Sequence, residues 1–441
     1  MTALDLSAFT QHGLRESVLN EVHARPFTPL TQPVLVIRFA FMAKDDSPAA
    51  DRASLAAFCA QHGAPPPELG AKHHQVDLGP VRLRFEQHSE FATLTWIWSP
   101  PADSGPRRFG TVAPELQALI AALPQAGELL VAVKLEVEAV PDAVARAEEI
   151  FDKSSLAVVS IKGGSGAVAS DFRLDDDGFT RILVCADGAT PERLGALVQR
   201  VLELETYRTL ALLGLPAALA LAPSVDSSER RLGEVLAEMQ GAATLTLNNH
   251  LLTELTELAA MLERGATRTL FRFGASRAYW DLVQARLSVI EGEPIAPYSS
   301  WSSFLARRIA PAMRTLNALE RRQSELSRRL ARAADLLRTR VDVELEEQNR
   351  DLLRSMNERT KLQLRLQSTV EGLSVAAIGY YVVSLFGYLA KGAHDTGLPV
   401  EPTLATAAFV PVAIALIWFT THQIRKRHLK EDHEAEKAAE E

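Results

Sequence analysis

Two long apolar runs near the C-terminus stand out in the pattern of hydrophobic and polar positions. Residues 372–390 (GLSVAAIGYYVVSLFGYLA) and 402–424 (PTLATAAFVPVAIALIWFTTHQI) contain no Asp, Glu, Lys or Arg. A charge-free run of about 18 or more residues is long enough to cross a bilayer as a helix. Since only a short polar connector separates the runs, the pattern predicts a two-span transmembrane helical hairpin with spans 372–390 and 403–424.

Basic residues flank both outer ends of this hairpin. The connector holds one lysine, whereas the flanks hold Arg350, Arg354, Arg359, Lys361, Arg365, Arg425, Lys426, Arg427 and Lys430. Positive charge near membrane ends stays on the cytoplasmic side, so both termini are predicted to be cytoplasmic. A buried hairpin inside a soluble protein is the alternative, and the charge bias disfavours it.

The front of the chain alternates between strand-like and helix-like patterns, which predicts an α+β cytoplasmic domain over residues 1–189. Residues 34–41 have the pattern of a buried strand, and 47–62 that of a helix with proline at its first position. Residues 81–98 predict either one extended strand or a hairpin that turns at 87–90. An Asp-Gly pair at 177–178 between apolar runs predicts another hairpin.

A helical domain is predicted over residues 190–300. Its apolar run at 210–223 is short and contains Pro216, so it predicts a buried pair of helices rather than a third span. Two further helices, 227–264 and 267–291, are expected to be separated near Gly265.

A long stalk helix is predicted over residues 301–371, followed by the hairpin (372–424) and a charged cytoplasmic tail (425–441). If helical throughout, the stalk is roughly 105 Å long. Apolar residues recur every 11 positions, as in Leu330, Val341 and Leu352, or Leu345 and Met356. This period favours straight helix packing. The recurring residues form an apolar stripe along the stalk helix. This stripe is expected to pack against either other helices of the chain or further copies of it.

Composition excludes some function classes. The 441 residues carry a net charge of −8 with no compact basic region, so nucleic acid is not an expected partner. Cys59 and Cys185 form neither a disulfide framework nor a thiolate metal motif, which suits a reducing compartment. No catalytic motif is present, and an enzyme is the least favoured class.

A cluster of His, carboxylate and Arg residues is the main candidate for chemistry. Its members are Glu21, His23, Arg25, Arg84, Glu86, His88 and Glu90, with His73 and His74 as further candidates. Such groups could hold a divalent metal or act as an acid–base pair. They could equally form buried ion pairs that fix the N-terminal segment onto a sheet, and this second interpretation is favoured because no known metal spacing is present.

The first span contains small and polar residues at near-helical spacing: Ser374, Gly379, Tyr380, Ser384 and Gly387. Residues of this kind usually mark contacts between helices in lipid, and that interpretation is favoured. A pore around a symmetry axis would use the same residues.

Several stretches resemble a known family. NEVHARPF at 20–27, RFEQHSEF at 84–91, RFGASRAYW at 272–280 and, above all, residues 336–392 are similar to bacterial membrane-anchored proteins grouped as domain of unknown function 3422. The resemblance implies a location in the bacterial inner membrane.

The order of elements also resembles the CorA family of magnesium transporters, whose pentamers line a pore with the first span. That family ends this span with Gly-Met-Asn, whereas residues 387–392 here are GYLAKG. The selectivity residues therefore do not carry over. The expectation is a homo-oligomer assembled through the stalk and first span in membrane lipid, acting as an ion channel or transporter. The alternative is a membrane-anchored scaffold or sensor whose cytoplasmic domain binds a partner or ligand.

Overall fold

A computed structural model describes residues 9–15, 18–19, 27–44, 47–68, 70–100, 109–163, 166–241, 244–397, 399 and 401–439, with the backbone alone for Ser47 and 424–439. The chain divides into two compact units, residues 1–336 and 337–441.

The first unit contains a nine-stranded sheet with the order β2-β3-β4-β1-β5-β8-β7-β6-β9. Among the described strands, β5 and β8 pair in parallel and the other neighbours are antiparallel. The strands are β1 (Val34–Met42), β2 (His73–Leu78), β3 (Val81–Gln87), β4 (Phe91–Trp98), β5 (Glu128–Glu138), β6 (Ala157–Ile161), β7 (Gly166–Ser170), β8 (Thr180–Ala186) and β9 (Glu291–Pro294). The α+β prediction is confirmed as a mixed sheet followed by long helices, and residues 81–98 form the hairpin rather than one extended strand.

The described part of the chain forms the helices α1 (Ser47–Gln61), α2 (Pro114–Ala121), α3 (Ala143–Ile150), α4 (Pro191–Leu212), α5 (Gly214–Glu238), α6 (Leu245–Ile290), α7 (Trp301–Asp395) and α8 (Pro402–Ala439). Of these, α1 and α2 pack on one face of the sheet, and α4 packs on the other. Successive strand side chains point to opposite faces. Ile37 therefore packs with Phe58 of α1 and Leu116 of α2, while Val36 faces Val198 of α4 on the other side.

The predicted helix break near Gly265 is wrong, because α6 runs through it without interruption. The glycine serves close packing instead: a Cβ added there would lie 2.8 Å from Leu221 Cδ1 of α5. The break falls before α6, where the Thr244 hydroxyl accepts a hydrogen bond from the backbone N–H of Leu247. A helix N-terminus leaves its first N–H groups unpaired, and this cap satisfies one of them.

The predicted stalk and first apolar run form one helix, α7, of 95 residues. Within the described residues, three helical segments are long and apolar enough to cross a membrane: Pro191–Glu238, Trp301–Asp395 and Pro402–Gln423. The first includes the run at 210–223, where α4 ends and α5 begins near Leu213 rather than at Pro216. The last two contain the apolar runs identified in the sequence.

Candidate functional site

A row of polar side chains crosses the sheet on the face covered by α4. Strand register places Thr95 of β4 directly between Arg38 of β1 and Arg84 of β3. The same register places Thr93 beside Glu86. All of these side chains are buried. Residues far apart in sequence thus form one buried polar cluster.

Glu86 is the carboxylate at the centre of this cluster. Its Oε2 accepts from Arg38 Nη2 at 3.1 Å and from Thr93 Oγ1 at 3.3 Å, and its Oε1 accepts from Arg84 Nη2 at 2.5 Å. Burial alone raises the pKa of the Glu86 carboxyl, but the charges of Arg38 and Arg84 outweigh burial and bring the pKa to about 2. Glu86 is therefore ionised and fully engaged at neutral pH.

The network continues from the sheet into the helices. Arg84 Nη1 donates to Gln199 Oε1 of α4 at 3.2 Å, and Gln199 Nε2 donates to Glu203 Oε1 at 2.9 Å. Arg286 Nε of α6 then donates to Glu203 Oε2 at 2.6 Å. This chain of hydrogen bonds links α4 and α6 to the sheet. The predicted attachment of the N-terminal segment to the sheet falls on residues 20–26, outside the described residues, and stays a prediction.

Glu90 belongs to a separate group at the β3–β4 turn. It accepts from Arg272 Nη2 of α6 at 2.8 Å. Burial, followed by a hydrogen bond to Glu90, raises the pKa of the Tyr279 hydroxyl. The Tyr279 ring stacks on Tyr207, and His88 stacks on Phe91 with ring centroids 4.1 Å apart. Glu86 and Glu90 therefore bind different arginines.

The predicted metal cluster is only partly visible. Glu21, His23 and Arg25 lie outside the described residues. His74 Nε2 lies 3.8 Å from Cys59 Sγ of α1 and 3.0 Å from the carbonyl oxygen of Pro65 in the loop after α1. Within the described ranges, no three His, Cys, Asp or Glu side chains come close enough to hold a metal. The divalent metal stays a prediction.

A cleft of about 1020 Å³ beside the start of α4 was not anticipated from the sequence. Its charged lining residues are Lys162, Asp187, Glu192, Arg193 and Arg200. Arg38 and Thr95 were also missed. The signal available for Arg38 was a lone charge within the apolar strand at 34–41.

The small residues of the first apolar run contact α8. A Cβ added at Gly379 would lie 3.6 Å from Ile417 Cδ1, and one at Gly387 would lie 3.5 Å from Thr406 Oγ1. Phe386 stacks on Phe409 with ring centroids 3.9 Å apart. Since these partners run in opposite sequence directions, the two apolar segments pack antiparallel. The two glycines lie against α8, whereas Ser374 and Tyr380 are exposed. Ser384 is half-buried.

A family model described as "Protein of unknown function (DUF3422)" matches residues 10–428. No curated protein matches the chain. Neither result supports the architectural resemblance to the CorA family.

Proposed function

We propose that this chain, which belongs to the DUF3422 family, is a bacterial inner-membrane protein that assembles with copies of itself. In this proposal, the apolar segments of α7 and α8 form a two-span hairpin in lipid, and residues 1–336 lie in the cytoplasm with both termini. Support for the hairpin comes from the charge-free sequences and the antiparallel packing. Support for the orientation comes from the arginines and lysines outside the two spans.

One observation carries the assembly: the apolar stripe of α7 changes from buried to exposed along its length. Leu330 and Leu337 are buried at 1% and 0% exposure. Leu345, Leu352 and Met356 continue the stripe but are 43%, 60% and 55% exposed. Large apolar side chains arranged in a stripe on a charged helix are typical of helix association. Further copies of α7 are partners that would cover this stripe in register.

The test is the stoichiometry of the full chain in detergent or nanodiscs, measured by light scattering or mass photometry. The wild type is expected to be oligomeric. Leu345→Ser, Leu352→Ser and Met356→Ser combined are expected to lower the subunit number, because they remove the apolar stripe.

The matched control carries Glu347→Ser, Arg354→Ser and Glu358→Ser. Each control position lies two residues after the matching position of the stripe, which is about 200° around the helix. This variant is expected to keep the wild-type stoichiometry. A monomeric wild type, or equal effects of both triple variants, would remove the proposal.

Ion passage is a second candidate function, and the side chain of Tyr380 favours it. This residue is 72% exposed within the apolar segment, so its hydroxyl needs a polar environment in lipid. An axis shared by several first spans could supply that environment, with Ser374 and Ser384 on the same helix. Purified oligomers in liposomes are expected to pass ions. If the oligomers are impermeable, or if lipid fills the symmetry axis, the alternative function as a membrane-anchored scaffold or sensor is favoured. The charged cleft beside the start of α4 is then its candidate binding surface.

A further inference from the structure

A small cavity lies between the buried polar row and α4, which also contact each other directly through Arg84 and Gln199. Its volume is about 20 Å³. It is lined by Arg38, Arg84 and Thr95 of the sheet, by Gly195 and Gln199 of α4 and by Thr28, together with apolar neighbours. The Thr28 hydroxyl donates to Gln75 Oε1 at 3.4 Å. A cavity of about 10–15 Å³ or more can hold one water-sized species. This cavity therefore admits a single small occupant and excludes sulfate or phosphate.

Three polar atoms of the lining residues lack partners. They are Arg38 Nε, Arg84 Nε and Thr95 Oγ1, none of which has a hydrogen-bond partner within the described part of the chain. The three residues are 3%, 5% and 5% exposed. Leaving buried donors unpaired is costly, so native structures supply an acceptor. Two guanidinium N–H groups and a hydroxyl call for an occupant that accepts hydrogen bonds.

The local charge distinguishes between possible occupants. Arg38 and Arg84 carry two positive charges, and both oxygens of Glu86 are already bound. Glu203 is neutralised by Arg286, and Gln199 is uncharged. Among the described residues at this cavity, one positive charge is therefore left unbalanced. A water molecule would accept the hydrogen bonds but leave this charge in a low-dielectric interior, which is unfavourable.

We propose that this cavity is a binding site for a monatomic monovalent anion of the chloride type. The anion accepts from the two Nε–H groups and from the Thr95 hydroxyl, and it neutralises the arginine pair. The site lies entirely within the first unit and does not depend on the membrane assembly. Its role is to complete the link between the sheet and α4, so the folded state gains stability when the ion binds.

The first test is thermal unfolding of the full chain in detergent as chloride replaces gluconate at constant ionic strength. The Tm of the wild type is expected to rise by a few degrees as chloride increases and then to level off. A rise of about this size is expected when the chloride concentration is about a hundred times its Kd. Thr95→Val removes one donor with little change in shape and should weaken this dependence. Arg84→Gln removes the excess charge and should abolish it.

The control is Arg82→Gln, which removes the same charge two residues away, where Arg82 is paired with Asp77 at the surface. This variant is expected to keep the wild-type chloride dependence. If chloride has no effect, or if all three variants respond equally, the site is refuted.

The second test is a crystal structure of the full chain in bromide, which scatters anomalously. An anomalous peak in the cavity beside Thr95 Oγ1 is expected. Density for water, or for a carboxylate of the chain itself, would overturn the proposal even if unfolding depended on salt.

Discussion

Replacing Glu86 by Gln tests the energetic account of the buried network. The carboxyl has a pKa of about 2 in the folded protein, against an ordinary value of 4.5. Since each pKa unit corresponds to about 1.4 kcal/mol, this difference in pKa corresponds to about 3 kcal/mol of folding stability at neutral pH. Glu86→Gln also leaves two buried arginines without their counter-charge, for which losses of about 3–5 kcal/mol are typical.

The assay is thermal unfolding of the full-length variant and wild type in detergent at pH 7. Since unfolding entropy is about 2 cal/mol/K per residue, a loss of about 3 kcal/mol in the unit of residues 1–336 predicts a Tm lower by roughly 4 °C. The control is Asp77→Asn, which breaks a surface ion pair with Arg82 and should cost less than about 1 kcal/mol. If Glu86→Gln unfolds within 1–2 °C of the wild type, roughly the effect expected of a surface pair, the network contributes little.

The same residue predicts a pH dependence. Because the folded pKa of Glu86 is depressed, its stabilisation is complete above about pH 4.5 and is lost as pH falls toward 2. The wild type should therefore lose stability across this window more steeply than Glu86→Gln. If stability falls equally steeply with pH in the two proteins, Glu86 is not the source of this pH dependence.

Three further predictions concern other contacts. Gly195→Ala should lower Tm, because the added Cβ would collide with the Thr28 carbonyl oxygen. The control Gly233→Ala has open space around the added Cβ and should raise Tm slightly, because alanine favours a helix more than glycine does. Equal Tm shifts for the two variants would contradict the close packing at Gly195. Trp301→Phe removes a 3.0 Å hydrogen bond from Nε1 to a buried carbonyl and should cost about 1–2 kcal/mol in denaturant unfolding. In an absorbance titration, Tyr279 should ionise above its usual pKa of 10, and Glu90→Gln should lower that value; an unchanged titration would exclude the contact.

Local sequence determined the type of most elements. The apolar runs at 372–390 and 402–424 are long and charge-free, and these properties alone predict membrane-length helices. The Asp-Gly pair at 177–178 falls in the turn before β8, because turn geometry depends on neighbouring residues. The predicted helix break at Gly265 was wrong because a helical glycine can mark either a break or a close contact between helices. Only the position of Leu221 on α5 shows that the glycine marks a close contact.

The tertiary structure decided the site. Arg38, Thr95 and Arg84 meet because strand register sets them side by side, and register between distant segments cannot be deduced from the composition of each strand. The sequence indicated Glu86 as part of a polar cluster, but its partners Arg38 and Gln199 come from other elements. The stripe of α7 was visible as a repeat, yet the sequence alone could not show that its burial stops after Leu337. Periodicity records which face of a helix is apolar, whereas burial depends on what the rest of the chain packs against that face.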